Sequence, residues 1–164
     1  MRMSEEKNEN LQKARKIAES LYPDEKWVKH NELIFVAQSR LPNSKSQHEV
    51  FEKELCMSAI AVKHGHAVYM LPEKCAGKSA DVVMDGVLTE YKAVSGGENA
   101  VSHRFRDGLK QGKNVFLSIE KDIAVSRVRQ ILRGVLKDKS ADGVVYCYFC
   151  TTDTFHTWQM KDLK

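Results

Sequence analysis

No run of about 18 apolar residues occurs anywhere in the sequence, which excludes a membrane-spanning helix. The N-terminal stretch MRMSEEKNENLQ is charged and has no apolar core, so the expectation is no secretion signal. Internal repeats and low-complexity tracts are absent, which argues against solenoids and disordered tails. Proline is scarce, with three residues in 164, and the few prolines mark breaks between elements. Cysteine is not scarce enough to ignore: Cys56, Cys75, Cys147 and Cys150 make an even count. Without a secretion signal, a chain of this length is expected in a reducing, cytoplasmic compartment, with thiols rather than disulfides. Cys147 and Cys150 have CxxC spacing, but no second CxxC or paired histidine accompanies them, so buried free thiols are expected over zinc.

What is present is an ordinary globular balance, 42% hydrophobic and 29% charged residues, enough for one core. The net charge of +4 tilts weakly toward an anionic partner and does not by itself single out nucleic acid. Leu11, Ala14, Ile17, Ala18 and Leu21 fall at helical spacing before Pro23, and a short strand is predicted around Leu33 to Val36. SRLPNSKSQ reads as a linker, so residues 1–46 are expected to form a helical appendage and residues 47–164 the main domain. HEVFEKELCMSAIAVKHG then reads as a helix with Val50, Phe51, Leu55, Ser58, Ala59 and Val62 on a buried stripe and Gly65 at its C-terminal end. From residue 47 the order is helix, three strands, helix, strand, helix, two strands. The fold class that follows is α/β, a mixed central sheet flanked by helices.

The stretch SADVVMDGVLTEYKAV carries the chemistry. Asp-Gly between two β-branched runs is a strong hairpin signal. With Asp85 and Gly86 as the turn, Val83 pairs with Leu88 and Asp81 with Glu90. Period-two alternation then adds Lys92 to the face of Glu90. Like charges directly opposite on a sheet are destabilising unless a cation or a proton compensates. Lys92 compensates in part, and a divalent ion would do so more fully. Mg²⁺ takes carboxylate oxygens and keeps several waters, and a metal held in this way activates water and clamps a phosphate oxygen. The pattern suits metal-assisted phosphodiester hydrolysis; the competing reading is a solvated hairpin edge with an incidental ion pair. GKS at Lys78 and Ser79 is not a phosphate loop, because Pro72 stands where the upstream glycine belongs and a strand follows.

Asp81, Glu90 and Lys92, at this spacing, resemble the core motif of the PD-(D/E)xK nuclease superfamily, with Ala80-Asp81 in place of Pro-Asp. The longer string, ELCMSAIAVKHGHAVYMLPE, GKSADVVMDGVLTEYKAV and SHRFRDGLKQGKNVFLSI, is similar to the C-terminal tRNase toxin domain of contact-dependent growth inhibition proteins. Relatives of that domain appear in phage and mobile-element proteins. The resemblance covers about residues 47–160 and implies a restriction-endonuclease-like core of helix, three strands, helix and strand. It implies a catalytic set of Glu54, Asp81, Glu90 and Lys92, with Glu49 and Glu52 as substitutes for Glu54. It implies a divalent metal, Mg²⁺ first and Mn²⁺ or Zn²⁺ as alternatives, on Asp81, Glu90 and Glu54. Arg104 and Gln111 are carried over as substrate contacts, and the exposed basic side that includes Arg106 and Lys110 would hold a phosphate backbone.

The expected function is a metal-dependent endonuclease acting on RNA of the tRNA type, with DNA as the other substrate class. Few aromatics stand near the motif, so no base-stacking platform is expected. A different class, a non-catalytic nucleic-acid or protein-binding module on a nuclease fold, competes with it; so does a metal-independent ribonuclease working through His, Arg or Tyr. The resemblance implies an inhibitory immunity protein as partner. The N-terminal helix is expected to pack on the core or on a second copy of the chain, and no membrane is involved.

Overall fold

The structure, a computed structural model, describes residues 4–73 and 80–164. The chain divides into two compact units, Met1–Leu88 and Thr89–Lys164. Cys75, Lys78 and Ser79 lie outside the described residues.

In the first unit, α1 (Glu5–Leu21) starts at Ser4, whose hydroxyl accepts the Lys7 amide. Its stripe is narrower than the spacing suggests: Leu11, Ala14 and Ala18 are buried, while Ile17 and Leu21 are exposed. β1 (Trp27–Asn31) and β2 (Ile34–Ala37) form an antiparallel pair, and a short 3-10 turn follows at Gln38–Arg40. α2 (Lys45–Lys63) is capped by Ser44, whose hydroxyl accepts the Gln47 amide, so the helix begins inside the stretch that reads as linker. Its buried residues are Phe51, Met57, Ser58 and Ala61; Val50 and Ala59 of the expected stripe are exposed. Gly65 has a φ of +94° and ends the helix as expected.

β3 (Val68–Met70) runs parallel to β2 and antiparallel to β4 (Val82–Met84). The segment before residue 47 therefore supplies strands to the same ladder as β3 and β4. All three residues of both β3 and β4 are buried, so neither strand has a wet face. α1 lays Leu11, Ala14 and Ala18 against Leu33, Tyr69, Leu71 and Val83. Tyr69 stacks on Phe35 with ring centroids 4.9 Å apart and accepts a 3.0 Å bond from the Arg15 guanidinium.

The chain leaves β4 through Asp85 and Gly86, with φ of 54° and 92°. Two successive left-handed residues are what a two-residue hairpin turn requires, and Asp-Gly supplies them at low cost. Asp85 is also tied down: its amide donates to the Ala67 carbonyl at 2.9 Å, and its carboxylate accepts from the Ala67 amide at 2.8 Å.

The second unit contains most of β5 (Val87–Val94), then α3 (Glu98–Leu109), β6 (Asn114–Ile119), α4 (Val125–Leu136), β7 (Val144–Phe149), β8 (Thr154–Gln159) and α5 (Met160–Leu163). β5, β6 and β7 are parallel neighbours and β8 returns antiparallel to β7. All six residues of β6 are buried, as befits a parallel strand covered on both faces. Val101 and Phe105 of α3, Val128 and Leu132 of α4, and Met160 and Leu163 of α5 close one core over β6 and β7. The α/β class and the order of elements from residue 47 are those the sequence predicts, with β1 and α5 as additions.

Replacing Gly86 with Ala would force a side chain into the left-handed region, and its Cβ would stand 3.0 Å from the Lys13 Cβ. We expect Gly86→Ala to cost about 1–2 kcal/mol, read as a lower urea midpoint at unchanged slope.

Candidate active site

In the first unit, Arg40, Val50, Glu54, Leu71, Pro72, Glu73, Ala80 and Asp81 line a cleft of about 80 Å³. Three different parts of the chain meet there. The 3-10 turn after β2 brings Arg40, the second turn of α2 onward brings Val50 and Glu54, and residues 71–73 and 80–81 bring the rest. The Leu71 amide donates to the Asp81 carbonyl at 3.0 Å, which ties these two lining residues to each other.

Glu54 sits on the cleft wall and is paired with the guanidinium of Arg40. Arg40 is only 7% exposed. Its guanidinium also lies over the ring of Phe51, 5.6 Å from the centroid. Phe51 and Glu54 are three apart on α2 and so share a face, which is why one arginine meets both. Burial pushes the Glu54 carboxyl up, and the negative charge of Asp81 pushes it further; Arg40 opposes both, and the result is about 7. The alternatives to Glu54 stand elsewhere: Glu49 is exposed and Glu52 faces His48 at 3.7 Å on the open side of the helix.

In the second unit, Glu90 and Lys92 are two apart on β5, so both side chains leave the same face of the strand. The Lys92 ammonium donates to the Glu90 carboxylate at 3.1 Å, with the Glu90 side chain 4% exposed and that of Lys92 16%. A carboxylate so deeply buried needs such a partner. The loop after α3 passes tightly against this residue: a Cβ on Gly112 would lie 2.7 Å from the Glu90 amide nitrogen and 2.8 Å from the Asn114 carbonyl oxygen. Only glycine permits that approach.

The stretch ENAVSHRFRDGLKQG reads as a helix to Gly112, but α3 ends at Leu109, where Gly108 packs against Val115 and the chain turns. Arg104 and Arg106 are therefore on the helix and exposed, Lys110 is its exposed cap within 3.8 Å of Asp107, and Gln111 is half-buried in the following turn. His103 is exposed on α3. Among the described residues the three cysteines are free thiols as expected; Cys147 is buried, its thiol pushed up by burial, whereas Cys56 and Cys150 are exposed.

Among the described residues, no group of three or more His, Cys, Asp or Glu side chains is gathered closely enough to hold a metal by protein atoms alone. Sequence reasoning missed Arg40, Glu73 and Gly112. Arg40 had no signal, standing in a polar stretch that reads as linker. Gly112 was visible only as a helix residue.

Residues 78–152 match the family model of the contact-dependent growth inhibition CdiA C-terminal domain, less than half of the chain. That segment contains Asp81, Glu90, Lys92 and α3, and excludes Arg40 and Glu54. No match was found among curated proteins. Among solved structures, the chain is similar to one described as "CdiA-CT/CdiI toxin and immunity complex from Burkholderia pseudomallei". Identity is 12%, the TM-score is 0.49, and the alignment covers 73% of this chain and 92% of that one.

Two outcomes follow from this geometry. Because the folded Glu54 carboxyl titrates above its ordinary value, the folded state holds a proton that the unfolded state releases between about pH 4.5 and 7. Its contribution is therefore complete below pH 4.5 and is lost as pH rises through 7. Denaturation at pH 5 and pH 8 should show wild type losing stability relative to Glu54→Gln, by as much as about 3 kcal/mol. Separately, Gly112→Ala should cost about 1–3 kcal/mol by overpacking and lower the hydrogen-exchange protection of the Glu90 amide.

Proposed function

We propose that the protein is a nuclease toxin domain that hydrolyses phosphodiester bonds with a divalent cation, RNA of the tRNA type being the first substrate class and DNA the second. The observation that carries this reading is the acidic cleft, where Glu54, Glu73 and Asp81 share one small space and the Glu54 carboxyl is raised to about 7, by burial first and by the charge of Asp81 second. Carboxylates pressed together in a cleft are what a hard cation relieves. Counting residues outward from the Asp85–Gly86 turn, the sequence pattern assigns Glu90 and Lys92 to the same reaction centre as Asp81. The match of residues 78–152 to the growth-inhibition family model supports the toxin part of the reading.

By the sequence pattern, a cation would be held through Asp81 and Glu90 with Glu54, and water would complete its shell, since among the described residues no three such side chains gather closely enough to make a site of protein ligands alone. When bound, the cation supplies a Lewis acid for the phosphate and lowers the pKa of a water. The protein's own groups do the rest. Lys92 is a donor that steadies the attacking water or the charge growing on the phosphate oxygens. Glu90 fixes that ammonium by their 3.1 Å contact. Exposed Arg104, Arg106 and Lys110, with Gln111 beside them, offer donors to a phosphate backbone. The resemblance also implies an immunity protein that blocks this surface in a producing cell.

The test is cleavage of labelled tRNA, single-stranded DNA and duplex DNA with Mg²⁺, Mn²⁺ or EDTA. Asp81→Ala, Glu90→Ala and Lys92→Ala should each lower the rate by about 10²-fold or more, and EDTA should abolish it. Cleavage that persists in EDTA would favour a metal-independent ribonuclease. Binding without cleavage of any of the three would favour the non-catalytic module.

A further inference from the structure

We propose that Arg40 is a positioning residue of this cleft, fixing the Glu54 carboxylate beside Asp81, and that the segment preceding residue 41 is thereby part of the working site. The inference rests on the nuclease reading and adds to it a residue outside the segment that matches the family model.

Three features separate Arg40 from an ordinary surface arginine. Its side chain is 7% exposed, so it is not there for solubility. It is gripped on two sides, by the Glu54 carboxylate and by the face of Phe51, which leaves the planar guanidinium one orientation. The backbone that carries it is also pinned. The Ser39 amide and hydroxyl each bond the Glu25 carboxylate at 3.0 Å, and the Gln38 amide donates to the Lys26 carbonyl at 2.8 Å. Arg40 is thus delivered on a rigid turn to a cleft where, among the described lining residues, it is the one cation facing Glu54, Glu73 and Asp81. A side chain held so firmly against a carboxylate orients it, as outer-shell partners orient ligands in other sites.

Because Arg40 is 7% exposed and its guanidinium is already engaged by Glu54 and the Phe51 ring, it acts through that carboxylate and not on substrate. The consequence is a particular kinetic pattern. In the full-length chain, Arg40→Met should lower kcat about 10–100-fold while KM for the cleaved nucleic acid stays within about twofold. Added to Glu54→Gln, it should cause no further loss of kcat, because the group it positions is already gone. Double-mutant analysis of urea unfolding should show the same two residues coupled, a readout independent of activity. Should Arg40→Met fail to fold, Arg40→Lys is measured in its place for the same split.

A kcat equal to wild type, a loss confined to KM, or losses that multiply with those of Glu54→Gln would each overturn the positioning role while leaving the nuclease reading intact. A wild-type protein that cleaves none of the nucleic acids would instead overturn the nuclease reading, and this inference with it.

Discussion

A carboxylate drawn out of water must find a counter-charge or keep its proton, and both units of this protein are built around that demand. In the first, Glu54 takes both routes, pairing with Arg40 while its carboxyl is held near neutrality by burial and by Asp81. In the second, Glu90 takes Lys92, two residues along the same strand, as a counter-charge. The two solutions differ in range. Lys92 comes from the local period of a β-strand, whereas Arg40 comes from a turn fourteen residues away in sequence.

The apolar framework makes these charges tolerable. α1 covers Tyr69 and Val83, and α3, α4 and α5 cover β6 and β7, so each polar group stands at the margin of a dry core. Desolvation strengthens every remaining electrostatic contact. Small residues set the tolerances: Gly86 lets the chain reverse beside α1, and Gly112 lets a loop pass the backbone of Glu90.

Much of this was legible in the sequence wherever the signal was local. The Asp85-Gly86 turn, the burial of β4, the glycine end of α2 and the order of elements after residue 47 all follow from short-range pattern. The failures share a cause. Val50 and Ala59 are apolar yet exposed, and Ile17 and Leu21 likewise, because helical spacing marks a wider face than the neighbouring strands cover. The helical pattern runs three residues past the end of α3 at Leu109, where Gly108 packs on Val115 and the chain turns. β1 was missed because its residues are largely exposed and carry no strand-like alternation.

The sequence by itself determined the α/β class, the hairpin turn and the neighbourhood of Glu90 and Lys92, because these depend on residues within a few positions of each other. Tertiary structure alone decided that Arg40 stands against Glu54, the glutamate the resemblance puts first, and that Glu49 and Glu52 do not line the cleft. The three glutamates point in different directions around α2, and which direction meets a cleft is settled only when a strand and a turn from elsewhere in the chain close on it.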